Sequence, residues 1–219
     1  MIKELAQAYS SEFHRLQSEL FPEDKSAGGR IIQITSSHFG EGVTSTTLAL
    51  AASMADGPRR EYGVIVVEAN LRSPSMNSVL NIGQGGSLAR VMQNPDNLWS
   101  NVQTVDAYGM AILPAGTASD VADGGDLEAN LKNLGETLQR LKGKYRYILV
   151  DSPPVIPFRD SSIIATVTDG VVYVVEAELT RSQVVGFGIQ KLAAVQAKIL
   201  GMVLNKREFH IPRWLYRYL

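Results

Sequence analysis

The sequence predicts a doubly wound α/β fold: a mostly parallel sheet with helices on both faces, three layers deep. Short, nearly continuous apolar runs recur along the chain, as expected of strands buried on both faces of a parallel sheet. Segments with helical spacing alternate with these runs through short connections. Gly40, Glu68, Asp151, Glu176 and Asn205 stand just beyond the runs, where such sheets hold their ligands.

At 219 residues the chain is long enough for one domain with a full core. Its hydrophobic content of 45% and charged content of 20% are those of a globular protein rather than a disordered one. The net charge of −1 gives no bulk basic field for nucleic acid or an anionic membrane. With no cysteine, disulfides and thiolate metal sites are excluded. Neither a signal peptide nor a run of about 20 apolar residues is visible, so a cytoplasmic protein is expected.

Along the chain, Leu5, Tyr9, Phe13, Leu16 and Leu20 repeat at helical spacing, predicting an amphipathic helix over 4–21 that Pro22 ends. A polar linker carries the chain to residue 29. Ile31, Ile32, Ile34 and Thr35 predict the first strand, and an Ala/Leu/Thr-rich helix begins at Thr44 and stops at Gly57-Pro58. Residues 62–67 read as a buried strand, 86–92 as a short helix, and Met110–Leu113 as a strand. Residues 117–125 read as loop and 126–141 as a helix with a leucine stripe. Strands at 147–150, 171–175 and 199–204, with a helix at 182–196, complete the pattern. The resulting division is 1–29 as N-terminal helix and linker, 30–206 as the α/β body, and 207–219 as a tail.

The connection after the first strand carries the chemistry. Strand, glycine loop and helix in that order form a phosphate cradle, in which backbone N–H groups and the helix N-terminus face an anion. The phosphate-loop pattern G-x-x-x-x-G-K-[ST] falls on Ser37, His38, Phe39, Gly40, Glu41, Gly42, Val43 and Thr44. The second glycine and the hydroxyl are present, but serine opens the pattern and valine holds the lysine position. It reads as a nucleotide site with its cation removed. His38 and His210 are expected to face solvent, and Asp160 and Asp169 to serve as helix-cap and turn residues.

The whole series of segments resembles the bacterial tyrosine kinases of capsule and exopolysaccharide biosynthesis, a deviant P-loop family related to Mrp, MinD and ParA. That family's loop, S-x-x-P-G-E-G-K-[ST]-[ST], is matched by residues 36–45 except at Phe39 and Val43. Its second motif, D-A-D-x-R-x-P, is matched by Glu68-Ala69-Asn70-Leu71-Arg72-Ser73-Pro74, and its D-[ST]-P-P by Asp151-Ser152-Pro153-Pro154. Gly86-Ser87-Leu88, Leu113-Pro114-Ala115-Gly116, Asp169-Gly170 and 201–205 extend the likeness over nearly all of 30–206. The resemblance implies a P-loop NTPase-like fold. It implies nucleotide binding by Gly40, Glu41, Gly42, Val43, Thr44, Ser45 and Asn205, with Mg²⁺ held by Thr44 and Asp151. The catalytic positions become Glu68, Asn70 and Asp151, as degenerate remnants. Asn205 resembles an adenine contact and equally suits a strand end.

The departures fall where catalysis would occur. Phosphoryl transfer relies on lysine at the phosphates and on carboxylates at the metal side. Val43 supplies no charge, a loss on the order of 1.5–3 kcal/mol for a charge-assisted contact. Asn70 removes a carboxylate, and Glu68 shifts one by a methylene. The expectation is a catalytically impaired, pseudokinase-like subunit holding ATP or ADP with Mg²⁺ weakly or not at all. The alternative is an active kinase or ATPase with a substitute cation from Arg72, Lys25 or a neighbouring subunit. The resemblance implies a membrane chain-length determinant (polysaccharide co-polymerase) or an active kinase as partner, at the inner membrane face, without nucleic acid. Homo-oligomers are implied only weakly, because the family's Glu/Arg ring motif is incomplete on the first helix. The family's tail tyrosines are represented by Tyr216 and Tyr218 alone.

Overall fold

The computed structural model describes residues 2–21, 28–56, 63–124 and 129–207. Lys25 and the tail with Trp214, Tyr216 and Tyr218 lie outside the described residues, as does the predicted helix stop at Gly57-Pro58. Seven strands form one sheet: β1 (Arg30–Ser36), β2 (Val64–Glu68), β3 (Gln103–Val105), β4 (Met110–Leu113), β5 (Tyr147–Asp151), β6 (Gly170–Glu176) and β7 (Ile199–Asn205). Their order is β3-β4-β2-β5-β1-β6-β7, parallel throughout except for the antiparallel β3–β4 pair at one edge. This is the predicted doubly wound sheet, with β3 added.

Side chains alternate across the sheet with the period of two that a pleat imposes. Ile32 and Ile34 of β1, Val66 of β2 and Leu149 of β5 face one way, onto Leu48, Leu50 and Met54 of helix α3 (Val43–Asp56). Ile31, Ile65, Val67 and Ile148 face the other way, onto helices α5 (Leu88–Gln93) and α8 (Leu131–Lys142). Each such buried Leu or Ile contributes about 1.5–3 kcal/mol relative to exposure. Tyr173 of β6 packs with Leu192 of helix α10 (Ser182–Ala194) in a third cluster. Of the leucine stripe predicted over 126–141, Leu134, Leu138 and Leu141 are fully buried and Leu131, where α8 begins, partly so, while Leu127 lies outside the described residues.

The N-terminal amphipathic segment is two helices, α1 (Ile2–Ala8) and α2 (Ser10–Leu20), rather than one. Tyr9, at φ −118° and ψ 33°, leaves helical geometry between them and is half-exposed instead of continuing the buried stripe. Ile2, Ala6, Leu20 and Phe21 join the core beside α3, and the Phe21 ring meets Tyr147 edge-on at 4.8 Å.

Residues 117–125, predicted as loop, instead contain helix α7 (Ala118–Gly124). A reciprocal cap starts it: Thr117 N–H donates to Asp120 Oδ2 at 2.9 Å, and Asp120 N–H donates to Thr117 Oγ1 at 3.2 Å. Arg90 of α5 binds the same carboxylate at 2.6 Å. Burial pushes the Asp120 carboxyl up, but the Thr117 amide and Arg90 outweigh it and hold the pKa below the ordinary value. Asp120→Ala should therefore destabilise the protein by about 1–2 kcal/mol, the usual loss for a cap, in urea unfolding. An unchanged midpoint would show that α7 forms without its cap. Short helices α4 (Met76–Leu80), α6 (Leu98–Asn101) and α9 (Asp160–Ala165) complete the described elements.

Candidate functional site

The parallel register brings the expected residues together at the carboxyl ends of the strands. Asp151 pairs with Ile34 on one side and Glu68 on the other. Beyond β1 the chain turns through Gly40 and Gly42, at φ 86° and 90°, a left-handed region that a side chain disfavours. Gly42 also lacks room: a Cβ there would lie 2.1 Å from Asn205 Nδ2. The loop then enters α3, a helix of 14 residues, at Val43. Its shape is fixed internally. Glu41 is buried and accepts the His38 N–H at 2.9 Å and the Thr180 hydroxyl. Asn205 Nδ2 donates to the Glu41 carbonyl at 2.9 Å.

Val43 is half-buried and its side chain packs against the core beneath α3. The lysine position thus rests against the edge of the hydrophobic core, while Thr44 and Ser45 follow in the first helical turn. Thr44 Oγ1 donates to Asp151 Oδ2 at 2.9 Å. Asp151 is buried, and its Oδ1 has no hydrogen-bond partner among the described residues. Burial, opposed by the Thr44 hydroxyl and assisted by nearby Glu68, raises its pKa to about 8. These oxygens are of the kind Mg²⁺ accepts when phosphate oxygens and waters complete its shell. Alone they would supply only part of such a shell, and among the described residues no group of three or more carboxylates or imidazoles stands together to complete one.

Glu68 is committed elsewhere. Its Oε1 accepts the N–H groups of Ser75 at 2.6 Å and Met76 at 2.8 Å, and its Oε2 accepts that of Ala115 at 2.9 Å. One buried carboxylate therefore ties the end of β2 to the start of α4 and to the segment after β4. Beside it lies an open cavity of about 650 Å³ lined in part by Arg72, Ser75, Asn77, Gln84 and Thr117. Asn70 Oδ1 accepts the Ser73 N–H at 3.3 Å, which shapes the same turn.

Arg72 faces Asp160, donating from Nε at 2.7 Å and Nη2 at 3.3 Å, and covers the Phe158 ring at 5.3 Å. Phe158 in turn meets Phe39, the residue standing where the family pattern has proline, at 5.6 Å. Asp160 is thus an ion-pair partner at the first turn of α9. Asp169 braces the sheet by accepting the Ile31 N–H at 2.7 Å and pairing with Lys142. Two residues at the loop were not singled out from sequence. Thr180 carries no pattern that would reveal it, whereas Lys206 directly follows Asn205 and could have been found by adjacency.

A sequence model of the cellulose biosynthesis protein BcsQ family matches residues 30–193. The succinoglycan biosynthesis transport protein ExoP of Rhizobium meliloti is 23% identical over 83% of this chain, which spans only 23% of that protein. The tyrosine-protein kinase CpsD of Streptococcus agalactiae is 25% identical over 81% of this chain and 75% of its own length. The fold superposes on the chimerical protein CapA2B2 with a TM-score of 0.76 at 25% identity, covering 91% of this chain and 85% of that one. The VpsO kinase domain gives 0.76 at 24% identity, covering 94% and 95%. The expected likeness to bacterial tyrosine kinases therefore holds in sequence and in fold. With a match from β1 into α10, the chain belongs to the family of the cellulose biosynthesis protein BcsQ.

Proposed function

We propose that this chain is a catalytically silent, tyrosine-kinase-like subunit that regulates or scaffolds bacterial exopolysaccharide biosynthesis and export. Its α/β body, residues 30–206, would dock on a membrane component of that machinery or on an active kinase. The observation carrying this reading is the placement of Val43: the position that should neutralise phosphate charge holds a half-buried valine packed against the core. The engagement of Glu68 by three backbone amides supports it, because a carboxylate so held is not poised beside a reacting hydroxyl. Among the described residues no helix is long and apolar enough to cross a membrane; the proposed partner would supply the contact with one.

The reading of an active kinase needs a cation at the loop. Arg72, one candidate, is held in an ion pair with Asp160 and covers Phe158, whose ring meets Phe39 of the loop. The silent reading predicts no submicromolar ATP–Mg²⁺ affinity by calorimetry. It also predicts no mass gain at Tyr216 or Tyr218 when highly purified protein is incubated with ATP. A time-dependent phosphate gain in intact mass would overturn it. Affinity capture from detergent-solubilised membranes should recover a polysaccharide co-polymerase or a kinase.

A further inference from the structure

The loop lacks its own lysine, yet a cation reaches it from the end of the sheet. Lys206, directly after β7, places Nζ 2.6 Å from the Gly40 carbonyl oxygen and 3.1 Å from Glu176 Oε2. Its backbone sits at φ 55°, a left-handed conformation uncommon outside glycine. Asn205, one residue earlier, holds the next carbonyl, that of Glu41. Two consecutive side chains therefore grip two consecutive carbonyls of the loop.

Peptide geometry turns this grip into a statement about donors. In a planar trans peptide the C=O and the following N–H point in opposite directions. Fixing the Gly40 and Glu41 carbonyls toward β7 aims the Glu41 and Gly42 N–H groups to the other side, away from β7. A charge on the carbonyl also polarises its peptide unit, which strengthens the opposed N–H as a donor. The buried Asp151 Oδ1, unpartnered among the described residues, sits on the carboxyl group that Thr44 binds at the loop's entry into α3, and suits a ligand that brings a cation with it.

We infer that Lys206 is a positioning residue which orients and polarises the phosphate loop from behind, so that the loop takes an oxyanion, a diphosphate group, without the missing lysine. This rests on reading the loop as a phosphate site, not on its catalytic silence.

The test is titration of the full chain with inorganic pyrophosphate and with ADP, followed by phosphorus and amide-proton NMR. The parent should bind pyrophosphate weakly and measurably. Lys206→Gln should weaken binding roughly tenfold, the scale of one charge-assisted contact. It should also flatten the salt dependence and move the Glu41 amide proton upfield even without anion. Lys206→Arg should stay within about threefold of the parent, since the charge is kept. Glu176→Gln, which leaves Lys206 in place and removes its competing carboxylate, should tighten binding severalfold and provides an arm independent of the Gln variant's folding. Equal pyrophosphate affinity and equal Glu41 shift in parent and Lys206→Gln would overturn the role of Lys206 alone. No pyrophosphate binding by the parent would overturn the phosphate-site reading beneath it. Phosphate gain on tyrosine would leave this inference standing and remove only the silent assignment.

Discussion

Glu68→Ala should destabilise the protein by on the order of 3 kcal/mol or more. Three buried N–H groups, of Ser75, Met76 and Ala115, would lose their acceptor at once. Each orphaned buried donor costs about 1–3 kcal/mol, less where water from the neighbouring cavity can enter. Against a typical total of about 5–15 kcal/mol, that loss is a large fraction of the fold. Glu68→Gln should fall between parent and alanine, because its amide nitrogen would face one of the N–H groups instead of accepting from it. Glu68→Asp is the informative change. The shorter side chain cannot span from α4 to Ala115, so restoring the kinase-like aspartate should itself destabilise. Urea unfolding of the four proteins measures this series. An aspartate variant as stable as the parent would show that the three-amide bridge is dispensable.

Asp151→Asn should stabilise the protein strongly at pH 8, less at pH 5, and little at or below about pH 4. The Asp151 pKa is raised from 3.8 to about 8, chiefly by burial. A carboxyl raised in this way binds its proton more tightly folded than unfolded. Parent stability is therefore fully retained below about pH 4 and falls as pH rises through the folded pKa near 8. The accumulated loss approaches the order of 5 kcal/mol at the upper end, at about 1.4 kcal/mol per unit. Asparagine keeps an acceptor for Thr44 and has no proton to lose, so it escapes this slope. Midpoints for both proteins from pH 4.5 to 8.5 provide the measurement. Curves that run parallel across that range would mean Asp151 does not carry the burden assigned to it.

Much of the architecture could be read directly, because buried parallel strands announce themselves by composition. Tyr147–Asp151 and Met110–Leu113 are continuous apolar runs whose ends are marked by Asp151 and Pro114. The loop glycines were legible for a similar reason: only a left-handed backbone and a close approach demand them at 40 and 42. Helix α7 was missed: its Thr117/Asp120 cap stands in the sequence, but Gly124 and Gly125 make the whole segment read as loop. Tyr9 fits the helical spacing of its neighbours, and nothing in that spacing signals the kink. The destination of Glu68 was out of reach. It depends on residues 7, 8 and 47 positions away, brought together by tertiary packing rather than by pattern. The same holds for Lys206, whose partner Gly40 lies 166 residues back along the chain.

The burial of Val43 gives the loss of the lysine a direction in time. A polar side chain at a solvent-facing position can drift to valine and back with little consequence in either direction. Here the valine methyls have become part of the packing under α3. A lysine there would exchange those methyl contacts for its own stem laid across the same surface, with its ammonium in solvent. Meanwhile Lys206 and Asn205 hold the loop in shape without it. Selection against the reverse step would therefore come from folding alone, whatever the protein does. The packing acts as a brake: a lysine entering this position gives up valine contacts beneath α3 before it can offer the loop a charge.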